Sequence, residues 1–334
     1  MNKSRVKLSE IKLLGFRAFI TKAVQLGVQV YKYEEHVNLF RLTHKDKTVY
    51  SNNGFIPFNI QMGEFTINKE ITKLILRENN IPTPNGFCIK TQKEALKLFN
   101  SNALSIPLII KPLDGSQALG VTWNITTQSQ LLQAIQYLKD KQKNHASLKS
   151  KSFLMEEMVF GDEYRILVLK NKVISCVRKL PATVIGDGTS SINQLVKAQN
   201  KKRLPDFPIK LDNIAKDKLK EYNYTINSIP KKSQKVILRN DMMISNGGRT
   251  IDCTQIINKK LQKQCVQATQ LLGLEYAGID LISKDITKNN DFTILEINTK
   301  PAHILNEKPI VEGNGVDVSL LLLQEIFPDI NNNK

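Results

Sequence analysis

The sequence predicts an α+β protein with mixed or antiparallel sheets packed on helices. Three observations lead there. Apolar runs of strand length are interspersed with segments whose apolar residues recur at helical spacing. Several strand-like runs are joined by short polar links of hairpin type. The elements do not follow the strict strand–helix alternation of a single doubly wound sheet. The 334 residues suggest about two domains and suffice for a sizeable core. With 41% hydrophobic and 24% charged residues, the composition is that of a globular chain and excludes a disordered one.

Taken in order, residues 13–27 carry helical apolar spacing and stop at Gly27, and 28–33 alternate as a strand. Residues 39–43 and 48–50 read as a hairpin around His44-Lys45-Asp46-Lys47. Residues 1–66 therefore form a small α/β cap, too small for a complete nucleotide-binding domain, ahead of a main domain over 67–330. Residues 68–79 read as a helix ended by Pro82 and Pro84. A second helix is expected over 91–99, a strand over 107–111, a helix over 129–138 and a polar connector over 139–152. Strands follow at 153–158, 163–169 and 173–177. The Lys-rich stretch 200–233 reads as a loop-and-helix insertion. A helix over 260–272, strands over 278–283 and 292–298, a helix over 318–327 and a frayed tail over 331–334 complete the chain.

The balance of 48 Lys+Arg against 31 Asp+Glu gives a net charge of +17, which admits nucleic acid, an anionic membrane surface or anionic substrates as partners. No run of apolar residues is long enough for a transmembrane helix. Lys12, Arg17 and Lys22 interrupt the N-terminal apolar stretch, so no signal peptide is read. The lysines are dispersed, with the densest cluster over 197–203 and no aromatic-interleaved recognition motif, which argues against nucleic acid. Cys88, Cys176, Cys253 and Cys265 form no C-x-x-C pair, and the four histidines show no metal-ligand spacing. A reducing, cytoplasmic setting is expected.

Three constellations can carry chemistry. In the first, Lys111 ends an apolar strand and is followed by a small-residue loop containing Gly115, Ser116 and Gly120. Small residues let backbone N–H groups approach phosphate oxygens, and the lysine adds a point charge. The Walker order is absent, and taken alone a lysine before a Gly-containing turn is more often a solvated strand end. In the second, Glu156-Glu157 ends a strand and Glu163 opens the next, a hinge able to meet a purine edge and ribose hydroxyls, or a plain charged hairpin connection. In the third, Asp280 lies in one strand, and Glu296 and Asn298 stand two apart in the next, so that they share a face. Hard oxygen ligands on neighbouring strands suit Mg2+. The bland alternative is a half-exposed strand pair with incidental acids.

In this order, and with the run Arg178-Lys179-Leu180-Pro181-Ala182-Thr183-Val184-Ile185-Gly186-Asp187-Gly188, the chain resembles the ATP-grasp superfamily. The best match within it is the ligase module of cyanophycin synthetases and of the bifunctional glutathione-making enzymes, from about residue 70 to 328. The resemblance implies an ATP-grasp fold of two α+β subdomains gripping ATP. It implies that Lys73 and Lys111 reach the phosphates, with Gly115, Ser116 and Gly120 in a flexible cover, and that Glu156 and Val159 form the adenine hinge. Glu163 would meet the ribose, and Asp280, Glu296 and Asn298 would hold Mg2+, with Mn2+ as a substitute. Arg165, Arg178 and Arg239 would line the acceptor and γ-phosphate region.

The implied reaction is ATP-dependent ligation of a small-molecule acid and an amine through an acyl phosphate, with γ-Glu-Cys plus Gly as the first pair. Cyanophycin-like or other amino-acid ligation, and a nucleotide-binding protein without ligase turnover, are the alternatives. Neither nucleic acid nor membrane is implied as a partner, and a homo-oligomer is. Two departures stand out: Asn298-Thr299-Lys300-Pro301-Ala302 replaces the common Asn-x-x-Pro-Gly, and Asn306 stands where the glutathione-making branch has a histidine, with His303 three positions earlier. The further catalytic domains of both groups of relatives are expected to be lacking, which makes the chain a free-standing ligase.

Overall fold

The computed structural model describes residues 3–33, 39–52, 66, 69–113, 119–145, 148, 150–288, 291–307 and 311–330. The first elements are β1 (Lys3–Arg5), α1 (Leu14–Gln25), β2 (Gln29–Tyr33), β3 (Leu39–His44) and β4 (Lys47–Asn52), which form an antiparallel sheet in the order β1-β2-β3-β4. Alternation along β2 and β3 sends Val30, Phe40 and Leu42 to the face covered by Phe16, Phe19 and Ile20 of α1.

After α2 (Lys69–Glu78) the chain builds a four-stranded sheet from β5 (Gly86–Ile89), β6 (Leu108–Pro112), β7 (Thr122–Ile125) and β8 (Phe153–Glu157), in the order β5-β8-β6-β7. Helices α3 (Gln92–Asn100) and α4 (Gln128–Asn144) cover one face of it, over a core of Leu108, Ile110, Phe153, Met155, Leu131, Ile135 and Leu138. Both helices open on capping boxes, Thr91 with Glu94 and Thr127 with Gln130, which satisfy backbone donors that the first turn leaves free. Helix α4 runs on through Asn144, where the sequence suggested a connector from 139. Its last turns are polar because they face solvent.

The rest comprises β9 (Asp162–Leu169), β10 (Lys172–Leu180), β11 (Thr183–Ile185), α5 (Ile192–Asn200), α6 (Asn213–Lys220), β12 (Lys235–Ile237), β13 (Arg249–Asp252), α7 (Lys259–Leu271), β14 (Tyr276–Ser283), β15 (Phe292–Asn298), a 3-10 turn at His303–Asn306, β16 (Val311–Glu312) and α8 (Val318–Ile326). Six of these strands form the main sheet, β15-β14-β9-β10-β13-β16, antiparallel except for the β13–β16 pair. Strands β11 and β12, with α5 and α6, form a lobe with its own core of Val184, Val196, Leu219 and Val236. The stretch 200–233, expected as a loop-and-helix insertion, supplies α6 of this lobe, while β11, β12 and nearly all of α5 lie outside it. Among the described residues no helix is long and apolar enough to cross a membrane.

The two faces of the main sheet differ. One packs Ile166, Cys176, Ile279 and Ile297 against Leu261, Cys265 and Ala268 of α7. The other is divided along its length. Its Leu167, Leu169, Ile174 and Tyr276 end joins the core of α1 and α8, so the N-terminal sheet is welded to the main one. Its other end carries Glu163, Arg165, Lys179, Asp280, Glu296 and Asn298. Helix α2 spans both sheets: Leu76 enters the α7 core while Lys73 points to the smaller sheet.

His303 lies between α1 and α8, with 1% of its surface exposed and its Nε2 3.4 Å from Ser319 Oγ. Burial pushes its pKa down to about 4, against a weaker opposing hydrogen bond to Pro301. The folded value lies below the unfolded one, so stability is present above about pH 6.5 and is lost as pH falls toward 4. Between about pH 7 and 4.5 the wild type should lose about 2 kcal/mol more than His303→Gln, read from urea unfolding at both pH values. Equal losses in the two proteins would remove His303 from this role.

Candidate active site

Two charged clusters and a hinge between them make up the site. In the smaller sheet Lys111 and Glu156 project from the face opposite α3 and α4, because their neighbours Ile110 and Met155 belong to the covered core. Glu156 is buried between two ammonium groups. It accepts a hydrogen bond from Lys73 and makes a 2.7 Å ion pair with Lys111. Burial alone would raise the Glu156 pKa, but the Lys111 and Lys73 charges outweigh it and hold it below the usual carboxylate range. Burial lowers the Lys73 pKa, and the neighbouring Lys111 charge lowers it further against the pull of Glu156.

From β8 to β9 the chain crosses between the sheets in four residues, Met158 to Gly161. Backbone bonds from Glu157 N to Asn85 O and from Met158 N to Pro107 O, both 2.9 Å, tie this crossing to the smaller sheet. Val159 lies in it, half-buried.

The second cluster occupies the polar end of the main sheet. Arg165, Asp280 and Glu296 are cross-strand partners in one row over β9, β14 and β15. Arg165 donates to both oxygens of Asp280, through Nε at 2.8 Å and Nη2 at 2.9 Å. Lys179 pairs with Asp280 at 2.7 Å and also with Glu163. Asn298 Nδ2 bridges the acids, 3.2 Å from Asp280 and 3.0 Å from Glu296. Burial by itself would raise the Asp280 pKa, but Arg165 and then Lys179 overcome it and keep the group ionised. Gly278 makes the row possible, since a Cβ there would stand 2.7 Å from Arg165 Nη1 and 2.6 Å from Pro301 Cβ.

Most of the residues singled out in the sequence fall in these clusters. Lys73, Lys111 and Glu156 meet at one point, although the Glu156 carboxylate is turned to the lysines and away from the hinge backbone. Glu163, Arg165, Asp280, Glu296 and Asn298 meet at the other. Arg178 does not join them. Alternation on β10 puts it on the opposite face from Lys179, where it pairs with Asp162 at 2.6 Å. Lys179 is the site residue that the sequence reading missed. Pairing β10 against β9 at Arg178 and Tyr164 brings Lys179 alongside Glu163, and that register is the signal that would have found it. Arg239 is buried in a group of its own beside the lobe, paired with Asp212 at 2.6 Å and Asp241 at 2.8 Å. Asn246 donates to Asp241 and accepts from Lys210. Gly120 turns with φ +75° just before β7, while Gly115 and Ser116 lie outside the described residues. His303 and Asn306 are both buried in the core, Asn306 donating to Ser175 Oγ at 2.8 Å.

Comparison with known proteins identifies the architecture. Residues 104–174 match the ATP-grasp domain family. The chain is 29% identical over 331 residues to the glutathione biosynthesis bifunctional protein GshAB of Streptococcus agalactiae, covering 95% of this chain and 43% of that protein. It is also 29% identical over 277 residues to the cyanophycin synthetase of Synechocystis, covering 79% of this chain and 31% of that one. The crystal structure of a bifunctional glutathione synthetase from Pasteurella multocida superposes with a TM-score of 0.69 at 24% identity, over 94% of this chain and 44% of the other. The chain thus has the ATP-grasp fold, and it spans less than half the length of these relatives.

Asp280 is buried, so its partners act on stability as well as on chemistry. Arg165→Met should destabilise the protein by about 3 kcal/mol, because it leaves a buried carboxylate with one cation fewer. Adding Asp280→Asn should recover at least about 1 kcal/mol of that loss, as read from urea unfolding of the four proteins of the cycle. Simply additive losses would contradict the coupling.

Proposed function

We propose that this ATP-grasp-fold chain is an ADP-forming carboxylate–amine ligase, with γ-Glu-Cys plus Gly as the first substrate pair to test. The observation that carries the reading is the pair of charged clusters on two sheets joined by the short crossing from β8 to β9. Lys73 and Lys111 offer a net positive point to phosphates, and Asp280 and Glu296 bring carboxylate oxygens together for a cation, with Asn298 donating to both. The fit to Mg2+ in donor chemistry rests on two carboxylates on adjacent strands, which are hard oxygen ligands; the Asn298 amide directs its nitrogen to them and would have to turn to add its oxygen. Bound there, Mg2+ would neutralise charge on the nucleotide phosphates.

The chemistry needs these parts. An oxygen of the acid's carboxylate attacks the γ-phosphorus of ATP, ADP leaves, and an acyl phosphate forms. The amine then attacks the acyl carbon, phosphate departs, and the amine's proton is lost to give the amide. No nucleophilic side chain is required. Lysine and arginine charges held in place stabilise the phosphoryl transfer, as positioned donors do in general. The hinge over 157–161 would meet the adenine edge and Glu163 the ribose, while Arg239 and the Asn246 loop would face the acceptor. The reading carries small-molecule acid and amine partners and a reducing compartment, in keeping with four free cysteines.

One observation favours a second reading, a nucleotide-binding protein without turnover. Both Asp280 oxygens are already engaged by Arg165 and Lys179, so a cation would have to share them.

ADP release with candidate acid and amine pairs, in Mg2+, separates the two. Turnover above the ATP-only background supports the ligase, and thermal stabilisation by ATP without turnover for any pair supports the binder. Within the ligase reading, Lys111→Ala should weaken ATP binding at least tenfold, and Glu296→Gln should lower Mg2+-dependent turnover at least a hundredfold with its unfolding curve unchanged. Full activity in either variant would overturn that residue's role.

A further inference from the structure

Glu156 stands in an unusual position for a residue on a nucleotide hinge. Its carboxylate is one of the most buried charges in the described chain, and it is engaged at both oxygens, Oε1 by Lys73 and Oε2 by Lys111. The two lysines come from different elements, α2 and β6, and meet at this carboxylate. The fold makes room for the arrangement at one point. Gly86 is the cross-strand partner of Glu156, and a Cβ there would lie 2.5 Å from Glu156 Cγ and 2.6 Å from the Met155 carbonyl oxygen. Any larger residue at 86 would push β5 or the Glu156 side chain aside.

Resting on the nucleotide reading above, we infer that Glu156 is a positioning residue: its carboxylate is the resident anion that holds Lys73 and Lys111 together, charged, at the place where nucleotide phosphates enter. Two buried ammonium groups so close repel each other, and without an anion between them one gives up its proton. When both lysines carry their protons, one carboxylate against two ammonium groups leaves a surplus of one positive charge. The phosphates meet that surplus and share the lysines with Glu156.

The proton on Lys73 is where this role becomes measurable. Burial lowers its pKa to about 7, with Lys111 adding to the fall and Glu156 opposing it. The charged groups that act on it are Lys111 from β6 and Glu156 from β8, while Glu70, one turn earlier on α2, is directed to Cys88 of β5. An arriving phosphate favours the ammonium. Below the Lys73 pKa the proton is already present, and above it one must be taken up on binding. Removing the Glu156 charge lowers the Lys73 pKa further, so more of that proton has to be acquired at neutral pH.

The test is calorimetry of tripolyphosphate, ATP and adenosine binding in buffers of different ionisation enthalpy, with wild type, Glu156→Gln and Glu156→Asp. At about pH 7, Glu156→Gln should take up about half a proton more per tripolyphosphate or ATP than wild type, the ligand's own titration cancelling in the difference. Glu156→Asp, which keeps the charge, should move back toward the wild-type count, and adenosine should show no difference among the three. Should Glu156→Gln fail to fold, wild type against Lys73→Met gives the same information, with about half a proton more expected for wild type. Equal proton counts overturn the inference. So does a loss of adenosine affinity in Glu156→Gln as large as the loss for ATP, which would make Glu156 an adenine contact. Folded wild type that binds neither ATP nor tripolyphosphate overturns the nucleotide reading itself, a separate and recognisable result.

Discussion

A carboxylate at the centre of a sheet has to be matched by cations on the neighbouring strands, and Asp280 organises the main sheet through that requirement. It is 4% exposed and flanked on β9 and β10 by Arg165 and Lys179. An unpaired charge at such a depth would be strongly destabilising. The pairing therefore fixes which face of β9, β10, β14 and β15 is polar. It also fixes where the apolar part of that face must stop, a few residues along each strand, at Leu167 and Gly278. Beyond that line Leu167, Leu169 and Tyr276 are covered by α1 and α8. One physical demand thus sets both the core boundary and the chemistry of the open end.

The smaller sheet answers the same demand in the same way, with two lysines around one glutamate. The charge at each cluster is incompletely balanced for a reason that fits the proposed reaction. The lysine cluster carries surplus positive charge, and the Glu296 side of the other carries surplus negative charge. Phosphate and a divalent cation are the complementary guests. The large net charge of the chain contributes little to this. Lys197, Lys201, Lys202 and Lys216 are exposed on the lobe, away from either cluster's contacts.

Much of the fold was legible in the sequence where periodicity was long. The helices at 14–25, 259–271 and 318–326 fall within one or two residues of their expected bounds. Short strands were not legible: β5, β7, β11, β12 and β16 have two to four residues, too few for alternation to register. Helix α5 was missed although Ser191 and Gln194 make the capping box that announces it. In the site, Glu296 and Asn298 were legible because a spacing of two on a strand dictates a shared face. Lys179 was not legible, because only the register of β10 against β9 says that it, and not its neighbour Arg178, faces Asp280. Likewise Glu156 was read by its place in a hinge, and its long-range partner Lys73, on a helix 83 residues earlier, could not be seen from local pattern.

The central claim is that the two clusters activate a carboxylate by phosphorylation, and the most direct measurement follows its oxygen. The protein would be supplied with ATP, Mg2+, amines, and amino acids and short peptides labelled with 18O in the carboxylate, γ-Glu-Cys among them. The released phosphate and the products would then be read by mass spectrometry. An acyl-phosphate route transfers one labelled oxygen to phosphate for each amide formed, and that is the predicted result. Amide formed with the label in AMP, or phosphate released unlabelled with every acid, would contradict it.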